Sequence, residues 1–178
     1  MGSLYIGRDL VTPSIVVTTA ESGGSSGDTS LFKSLIDGTI TTVSESDLTG
    51  LTKINDHAFS NCTNLISITI PEGVTSIGFG AFDGCSSLTS IIIPEGVTSI
   101  GINAFSDCSR LTNITIPYSV TSIGQMAFGY CHNLTSVTFT GTKEQWNKIS
   151  KGDYWNGNLS FTITCTNGTI TVTNGVEG

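Results

Sequence analysis

The chain has 178 residues, a formal net charge of −7 and only 12% charged residues. Its seven Lys and Arg residues are scattered, whereas phosphate binding requires a clustered basic surface, so a nucleic-acid partner is disfavoured. No stretch approaches the roughly 20 apolar residues of a membrane helix, so we do not expect the chain to span a membrane. The polar residues are mostly Ser, Thr, Asn and Gly, which suits a protein or carbohydrate partner.

The segment 1–29 precedes the regular part of the chain. Residues 1–20 are expected to form one or two short strands, with Gly7 and Pro13 as interruptions. Residues 21–29, rich in Gly and Ser, predict a flexible linker. This segment lacks the basic start, long apolar run and small-residue cleavage site of a signal peptide, since Arg8 is followed by Asp9 and a short, Pro-interrupted apolar run. We therefore expect either that a leader has been removed or that export uses none of its own.

Residues 30–139 are predicted to form a solenoid that begins with a capping segment. Ser30 can cap a short helix over residues 31–37, which Gly38 would end. From Ala58 to Phe139 one pattern then recurs at a 23-residue spacing, A-F-x-x-C-x-x-L-x-x-I-x-I-P-x-x-V-x-x-I-G. A fixed period of this length predicts stacked turns, none of which can bury its apolar face alone.

Each copy of the pattern predicts two strands. The L-x-x-I-x-I segment alternates like a strand, and Pro71, Pro94 and Pro117 end it because proline cannot donate a ladder hydrogen bond. The V-x-x-I-G segment predicts a shorter strand on the opposite side. We predict positive φ at its glycine, because Asn55 holds this position in a degraded first copy and Asn tolerates positive φ best after Gly.

The degraded first copy lies between residues 39 and 59. Its apolar residues fall one full period before those of the next copy: Leu51, Ile54 and Phe59. Ile40 and Val43 can supply its first strand, but they lie about two residues out of phase with the later copies.

Four of the five cysteines recur at one repeat position: Cys62, Cys85, Cys108 and Cys131. Neighbouring strands of a stacked sheet lie about 4.8 Å apart with parallel side chains, which is a poor geometry for a disulfide. No pair has the C-x-x-C spacing of a zinc or redox site. We therefore predict a column of buried thiols, to which Cys165 does not belong.

Residues 140–178 predict a C-terminal cap that covers the open edge of the last turn. Thr142 and Gln145 have capping-box spacing at the start of a short helix, with Trp146 expected in the core. Two alternating strands follow around Asn167 and Gly168, a pair that is favoured in a type I′ hairpin turn.

The repeat pattern resembles the BspA-like class of leucine-rich repeat over roughly Leu51 to Phe139, and the segment T-F-x-G-T-K-E-Q-W-N-K-I resembles the end of such arrays in gut bacteria. The resemblance implies a mainly β, right-handed solenoid with a parallel sheet along one face and no catalytic residues. Better-known members of this class are surface proteins that attach bacteria to host matrix proteins and to other cells. The segment LYIGRDLVTPSI near the N-terminus resembles structural proteins of bacteriophage tails.

The best candidate for a binding site is the outward row of the main sheet. Strand alternation places eight residues on it, of which Ile92 is the only apolar one: Ser67, Thr69, Ser90, Ile92, Asn113, Thr115, Ser136 and Thr138. The same row is equally typical of a plain solvated strand surface. Trp155, in the Gly- and Asn-rich segment DYWNGN, is expected to be exposed and is a second candidate.

Catalytic and metal sites are not expected. His57 and His132 lie three repeats apart, so they cannot converge on a triad or a zinc site. Glu72 and Glu95 occupy one repeat position in turns without a pocket, unlike the paired carboxylates of glycosidases. No cofactor is implied either.

Two functions are compatible with these features. The first is a non-catalytic module, extracellular or on a cell surface, that binds a protein or carbohydrate through the solenoid. The alternative is a structural or receptor-binding component of a phage tail-like assembly, in the virion. The oligomeric state is left open.

Overall fold

The computed structural model describes residues 37–38 and 40–178. The strands expected in residues 1–20 and the linker at 21–29 lie outside these residues. So does the predicted capping helix, apart from Asp37, which lies in a turn with Gly38.

The described part of the chain consists of twelve short strands and two short helices. The strands are β1 (Thr42–Val43), β2 (Ser67–Ile68), β3 (Ser76–Ile77), β4 (Ser90–Ile92), β5 (Ser99–Ile100), β6 (Asn113–Ile116), β7 (Ser122–Ile123), β8 (Ser136–Phe139), β9 (Ser150–Lys151), β10 (Phe161–Cys165), β11 (Gly168–Thr173) and β12 (Val176–Glu177). The helices are a 3-10 helix, Glu45–Leu48, and α1, Lys143–Trp146. Neither of these helices is long and apolar enough to cross a membrane.

Strands of successive copies form two long sheets, and β1 with β2 forms a separate two-stranded sheet. The main sheet has the order β12-β11-β10-β8-β6-β4 and is parallel from β4 to β10. The second sheet, β3-β5-β7-β9, is parallel throughout. Register partners lie one repeat apart, so that Ile91 faces Ile114 and Ile114 faces Val137. The chain is therefore a mainly β solenoid of about five turns, as the repeat predicts.

The first turn differs from the others in length. In the β1–β2 pair Val43 lies opposite Ile68, which is two positions beyond the regular repeat spacing and confirms the predicted phase shift. The 3-10 helix Glu45–Leu48 follows β1 and accommodates the additional residues. Ile54 joins the second sheet through a single bridge to Ile77.

A column of phenylalanine rings runs through the core. Adjacent rings stack nearly parallel, with centroids 5.2, 5.1 and 5.6 Å apart along the series Phe59, Phe82, Phe105 and Phe128. All four side chains are fully buried. Because each ring packs on the ring of the next turn, the turns share one continuous core.

The glycine that ends the second strand does not have the predicted positive φ, so that prediction was wrong. Gly78, Gly101 and Gly124 and the corresponding Asn55 all lack it. A Cβ atom on Gly101 would instead lie 2.5 Å from the carbonyl carbon of Gly78, one turn earlier. Glycine is required because the backbones of successive turns touch here. Asn55 can carry a side chain because it is the first member of this column in the described residues.

Positive φ occurs two and six residues after this glycine position. The first column has φ between 51° and 57°: His57, Gly80, Asn103, Met126 and Tyr154. The second has φ between 55° and 74°: Asn61, Gly84, Asp107, Tyr130 and Asn158. Each of these turns therefore contains two residues in the left-handed backbone conformation. The sequence hides these positions because several of their residue types rarely adopt positive φ.

The cap contains a further turn that the repeat pattern does not reveal. Strand β9 pairs with β7, and Gly152 follows it as Gly124 follows β7, at a spacing longer than the repeat period. The Phe128 N–H donates to the Trp155 carbonyl at 2.9 Å, as Phe105 N–H donates to Ala127 in the preceding turn. Strand β10 then pairs with β8 and completes the turn.

The predicted capping box at the start of α1 is confirmed. The Thr142 hydroxyl accepts a hydrogen bond from Gln145 N–H at 3.3 Å, and Gln145 Oε1 accepts one from Thr142 N–H at 2.8 Å.

The predicted hairpin is also present, as β10 and β11, but its turn is not type I′. Asn167 lacks the positive φ that this turn requires, and only Gly168 has it. The Asn167 side chain instead accepts a hydrogen bond from Lys143 N–H and donates one to Glu144 Oε2, both at 2.9 Å. These bonds attach the hairpin to α1.

The glycine contact between turns can be tested by Gly101→Ala. We expect a loss of about 3 kcal/mol in the free energy of unfolding, because the new methyl group would overlap the Gly78 backbone. Gly96→Ala is the matched control, since φ is +95° there but no atom lies within 4 Å of the new carbon. Its cost should stay near the roughly 1–2 kcal/mol of a left-handed alanine. Equal losses in urea unfolding would contradict the role assigned to Gly101.

Candidate binding surfaces

Six of the eight predicted outward residues lie side by side on the main sheet. Ser67 and Thr69 lie in and just after β2, which pairs with β1 in a separate two-stranded sheet. Strand pairing places Ser90, Asn113 and Ser136 in one row and Ile92 beside Thr115 in a second row. All eight are exposed or half-exposed, whereas the residues between them are buried. We call this surface the outer sheet face: Ser67, Thr69, Ser90, Ile92, Asn113, Thr115, Ser136 and Thr138.

The outer sheet face continues into the cap. Thr162 lies opposite Ser136, and β11 then extends the row antiparallel to β10. This cap extension comprises four exposed residues: Thr162, Thr164, Thr169 and Thr171. Sequence reasoning missed it, although the alternation in F-T-I-T-C was visible. The offset between β8 and β10 exceeds the repeat period, so that period does not indicate which strands are neighbours.

The outer sheet face and its cap extension carry no charged residue. Hydroxyl and amide groups dominate, and Ile92 is the one apolar member, with 69% of its surface exposed. Such a surface can offer hydrogen bonds to a neutral polar partner, with Ile92 as a single apolar contact.

Other exposed threonines serve the scaffold. The Thr112 hydroxyl donates to the Thr89 carbonyl at 3.2 Å, and the Thr135 hydroxyl donates to the Thr112 carbonyl at 3.3 Å. Along the second sheet the same bond links Thr98 to the Thr75 carbonyl, at 3.2 Å. These columns tie adjacent turns together, so their hydroxyl groups are already engaged.

An open depression of about 600 Å³ lies over the second sheet. Its walls come from β5, β7, β9 and the residues that follow each strand, with Ile102, Gln125 and Asp153 among them. Small Ser and Gly residues line much of it. This shape is not an enclosed pocket of the kind that usually holds a small substrate.

Trp155 is buried, with 7% of its surface exposed, so the prediction of an exposed binding residue was wrong. Its ring makes edge-to-face contacts with Phe128, Trp146 and Phe161, at centroid distances of 6.1, 5.7 and 6.0 Å. Trp155 is buried because it belongs to the additional turn in the cap and closes the phenylalanine column. Trp146 is fully buried, as predicted.

A partly buried ion pair closes the cap beside Trp146. Lys151 Nζ lies 3.6 Å from Glu177 Oε1 and 5.0 Å from the centroid of the Trp146 ring. The Trp146 Nε1–H donates to Glu177 Oε2 at 3.2 Å. Burial lowers the pKa of Lys151, while the Glu177 charge opposes this shift. These contacts hold β12 against the cap.

The cysteines are buried and free, as predicted for the repeat column. The Cys85 thiol donates to the Phe59 carbonyl at 3.1 Å, and Cys108 and Cys131 make the same bond one turn further on each time. Burial raises the pKa of Cys62 to about 12. A thiol held in this way is a poor nucleophile and a poor metal ligand at neutral pH.

The two histidines lie on different turns and make separate ring contacts. The His57 ring contacts Phe79 edge-to-face at 4.8 Å, and the His132 ring contacts Tyr130 at 6.2 Å. The described residues include no group of three or more His, Cys, Asp or Glu side chains that could hold a metal ion.

Asp83 is a partly buried carboxylate whose pKa is raised by its surroundings. Partial burial raises its pKa, the nearby Asp107 charge adds to the shift, and His57 and Ser106 oppose it. Serine or glycine occupies the same repeat position in the neighbouring copies, at Ser60, Ser106 and Gly129. The negative charge is therefore unfavourable for the fold at this position.

Short parallel strands stacked at a 23-residue spacing, with apolar columns inside and a polar sheet face outside, define a protein of the leucine-rich-repeat type. The description "BspA type Leucine rich repeat region" matches residues 37–173, in six copies. The chain belongs to this family. No curated protein shows significant similarity to the chain.

Solved bacterial structures show the same fold. A leucine rich cell surface protein from Faecalibacterium prausnitzii is 33% identical with a TM-score of 0.55, over 62% of this chain and 35% of that one. A leucine-rich repeat protein from Eubacterium ventriosum is 29% identical with a TM-score of 0.53, over 64% of this chain and 32% of that one. The pneumococcal vaccine antigen PcpA is 23% identical with a TM-score of 0.57, over 76% of this chain and 33% of that one. At this identity the similarity is evidence for the fold only. The matches span about a third of these three chains.

The burial of Trp155 can be tested by Trp155→Ala. We expect a loss of about 3–5 kcal/mol in the free energy of unfolding, because three ring contacts and a large buried surface disappear. Tyr154→Ala, at a neighbouring residue that is 61% exposed, should cost less than about 1 kcal/mol. A small effect of Trp155→Ala in urea unfolding would contradict the core role.

Asp83 predicts a pH dependence of stability. Its pKa is higher in the folded state than in the unfolded state, where it is near 3.9. The free energy of unfolding therefore falls as pH rises from the unfolded pKa through the folded pKa. Asp83→Asn removes this cost and should stabilise the protein at pH 7 by on the order of 0.5 kcal/mol, after allowance for solvent screening.

Asp47→Asn provides a control with the opposite sign. Ser44 lowers the pKa of Asp47 through hydrogen bonds, so its stabilisation is present above the unfolded pKa and is lost as pH falls. Melting temperatures measured between pH 3 and 7 should move in opposite directions for the two variants. A lower melting temperature of Asp83→Asn at pH 7 would contradict the assignment.

Proposed function

We propose that the chain is a non-catalytic recognition module at a bacterial cell surface, which binds a protein or carbohydrate partner through the outer sheet face. The observation that carries this proposal is the division of labour within the repeat. The recurrent Ala, Phe, Cys, Leu, Ile and Val side chains are buried, and the recurrent Gly and Pro shape the turns. Specificity then depends on the residues that vary between copies, which lie on exposed faces.

A surface location is supported by the relatives of the chain. The similar protein from Faecalibacterium prausnitzii is described as a cell surface protein. Membership of the BspA-type family is consistent with adhesion. A non-enzymatic role is supported by the separation of the histidines and by the raised pKa values of Cys62 and Cys85.

Four lysines on the outer sheet face should abolish binding. We expect that Thr69, Ile92, Thr115 and Thr138→Lys in one chain removes binding to any carbohydrate or host-matrix protein that the intact chain recognises on an array. Long charged side chains would desolvate poorly against a neutral partner and obstruct its approach. The melting temperature should change by no more than about 4 °C, because these residues are exposed or half-exposed.

The control variant must add the same four positive charges and leave the outer sheet face unchanged. Four neutral, exposed residues outside it serve this purpose when replaced by Lys: Thr63, Ile102, Gln125 and Asn147. Binding should survive in this variant. Loss of binding in both variants would indicate a non-specific charge effect, and absence of any array ligand for the intact chain would refute the proposal.

A structural role in a phage tail-like assembly is a second candidate. It rests on the resemblance of LYIGRDLVTPSI, residues 4–15, to tail proteins. That segment lies outside the described residues. Capsid and tail genes next to the coding sequence would favour this role, and a secretion signal on the native gene would oppose it.

A further inference from the structure

Hydrogen bonds join three exposed residues where β4, β6 and β8 end: Glu95, Tyr118 and Thr140. Glu95 follows the repeat, whereas Tyr118 and Thr140 depart from it. Tyr118 replaces the glutamate that precedes a glycine at Glu72 and Glu95, and Thr140 replaces the strand-ending proline. The Tyr118 N–H donates to the Thr140 hydroxyl at 2.8 Å, and that hydroxyl donates to Glu95 Oε1 at 3.0 Å. One hydroxyl group thus connects three successive turns.

This arrangement orients a charged group before any ligand arrives. An exposed glutamate normally samples many rotamers, and ordering it on binding costs free energy. Here the bond from Thr140, 45 residues away in sequence, restrains the Glu95 carboxylate. A carboxylate accepts about four hydrogen bonds, so the bond from Thr140 leaves acceptor sites for a ligand. Glu72, one turn earlier, has no threonine at the corresponding position, which is occupied by Pro117.

Tyr118 occupies the repeat position of Glu95 one turn later and adds an exposed aromatic side chain there. Its side chain is 58% exposed. Unlike the phenylalanines, it does not belong to the buried column. An exposed ring has an apolar face and a polar hydroxyl, so it can pack on a partner that has both apolar and hydroxyl-rich surfaces.

We propose that Glu95, Tyr118 and Thr140 form a carbohydrate subsite at the margin of the outer sheet face. The Tyr118 ring would pack on the C–H face of a pyranose, while Glu95 accepts hydrogen bonds from two adjacent sugar hydroxyls. The hydroxyls and amide of the neighbouring outer sheet face would bond the following sugars of the chain. The inference rests on the proposed function and commits it to a glycan.

The charge balance selects a neutral glycan. Glu95 and the net charge of −7 would repel acidic sugars. A protein partner is disfavoured because protein interfaces depend on a desolvated cluster of large anchors, and the outer sheet face has only Ile92.

The subsite is tested with an array of short neutral oligosaccharides of glucose, galactose, mannose, xylose and N-acetylglucosamine, followed by calorimetry with each soluble oligosaccharide that binds. We expect Tyr118→Ala and Glu95→Gln each to weaken binding by about tenfold or more. Glu72→Gln is the matched control, because it makes the same change at the same repeat position without the Thr140 bond, and its affinity should stay within about twofold. Tyr118→Glu restores the residue of the other copies and should fold, yet bind as poorly as Tyr118→Ala.

The outcomes separate this inference from the proposed function. If oligosaccharides bind and the four-lysine variant of the outer sheet face loses them, but Tyr118→Ala and Glu95→Gln do not, the subsite is wrong and the proposed function stands. If the intact chain binds an arrayed protein and no oligosaccharide, the carbohydrate subsite is again wrong and the proposed function again stands. If it binds nothing, both fail. Equal losses in Glu72→Gln and Glu95→Gln would also overturn the subsite.

Discussion

The structure depends on backbone contact between successive turns at one glycine column. Because a Cβ atom on Gly101 or Gly124 would overlap the preceding backbone, the backbone itself sets the separation of the turns there. The other columns follow from that separation. Phenylalanine rings stack at 5.1 to 5.6 Å, and the thiol of Cys131 reaches the Phe105 carbonyl at 2.9 Å. A larger side chain at the glycine would separate all of these contacts together.

Sequence periodicity predicted the sheets, the inward columns and the outer sheet face, because each depends on which residues recur and alternate. It misassigned the glycine column, since glycine has two distinct uses. Asn55, at this position in the first copy, suggested a positive φ. An Asn in place of Gly is equally allowed there because no earlier described turn packs against Asn55. The true left-handed positions include Met126 and Tyr130, residue types that carry no such signal.

The cap shows a different limit of sequence reasoning. Residues 150–164 rebuild both strands of a turn, but each strand is spaced from its partner by more than the repeat period, so nothing recurs that a pattern could detect. Trp155 therefore looked like part of a polar loop, because its neighbours are Asn and Gly. Its burial follows from strand pairing between β9 and β7, which is a tertiary property. The cap extension of the outer sheet face was missed for the same reason.

The candidate subsite also depends on tertiary contacts that no sequence pattern shows. Glu95 and Thr140 are 45 residues apart, and no local pattern relates them. Their contact exists because the two residues lie on turns that stack in a fixed register, with one turn between them. A solenoid of this kind satisfies its backbone and apolar groups internally, so residues on the outside can change at little cost in stability. Departures from the repeat that also form ordered contacts, as Tyr118 and Thr140 do, are therefore more informative about binding than the repeated residues.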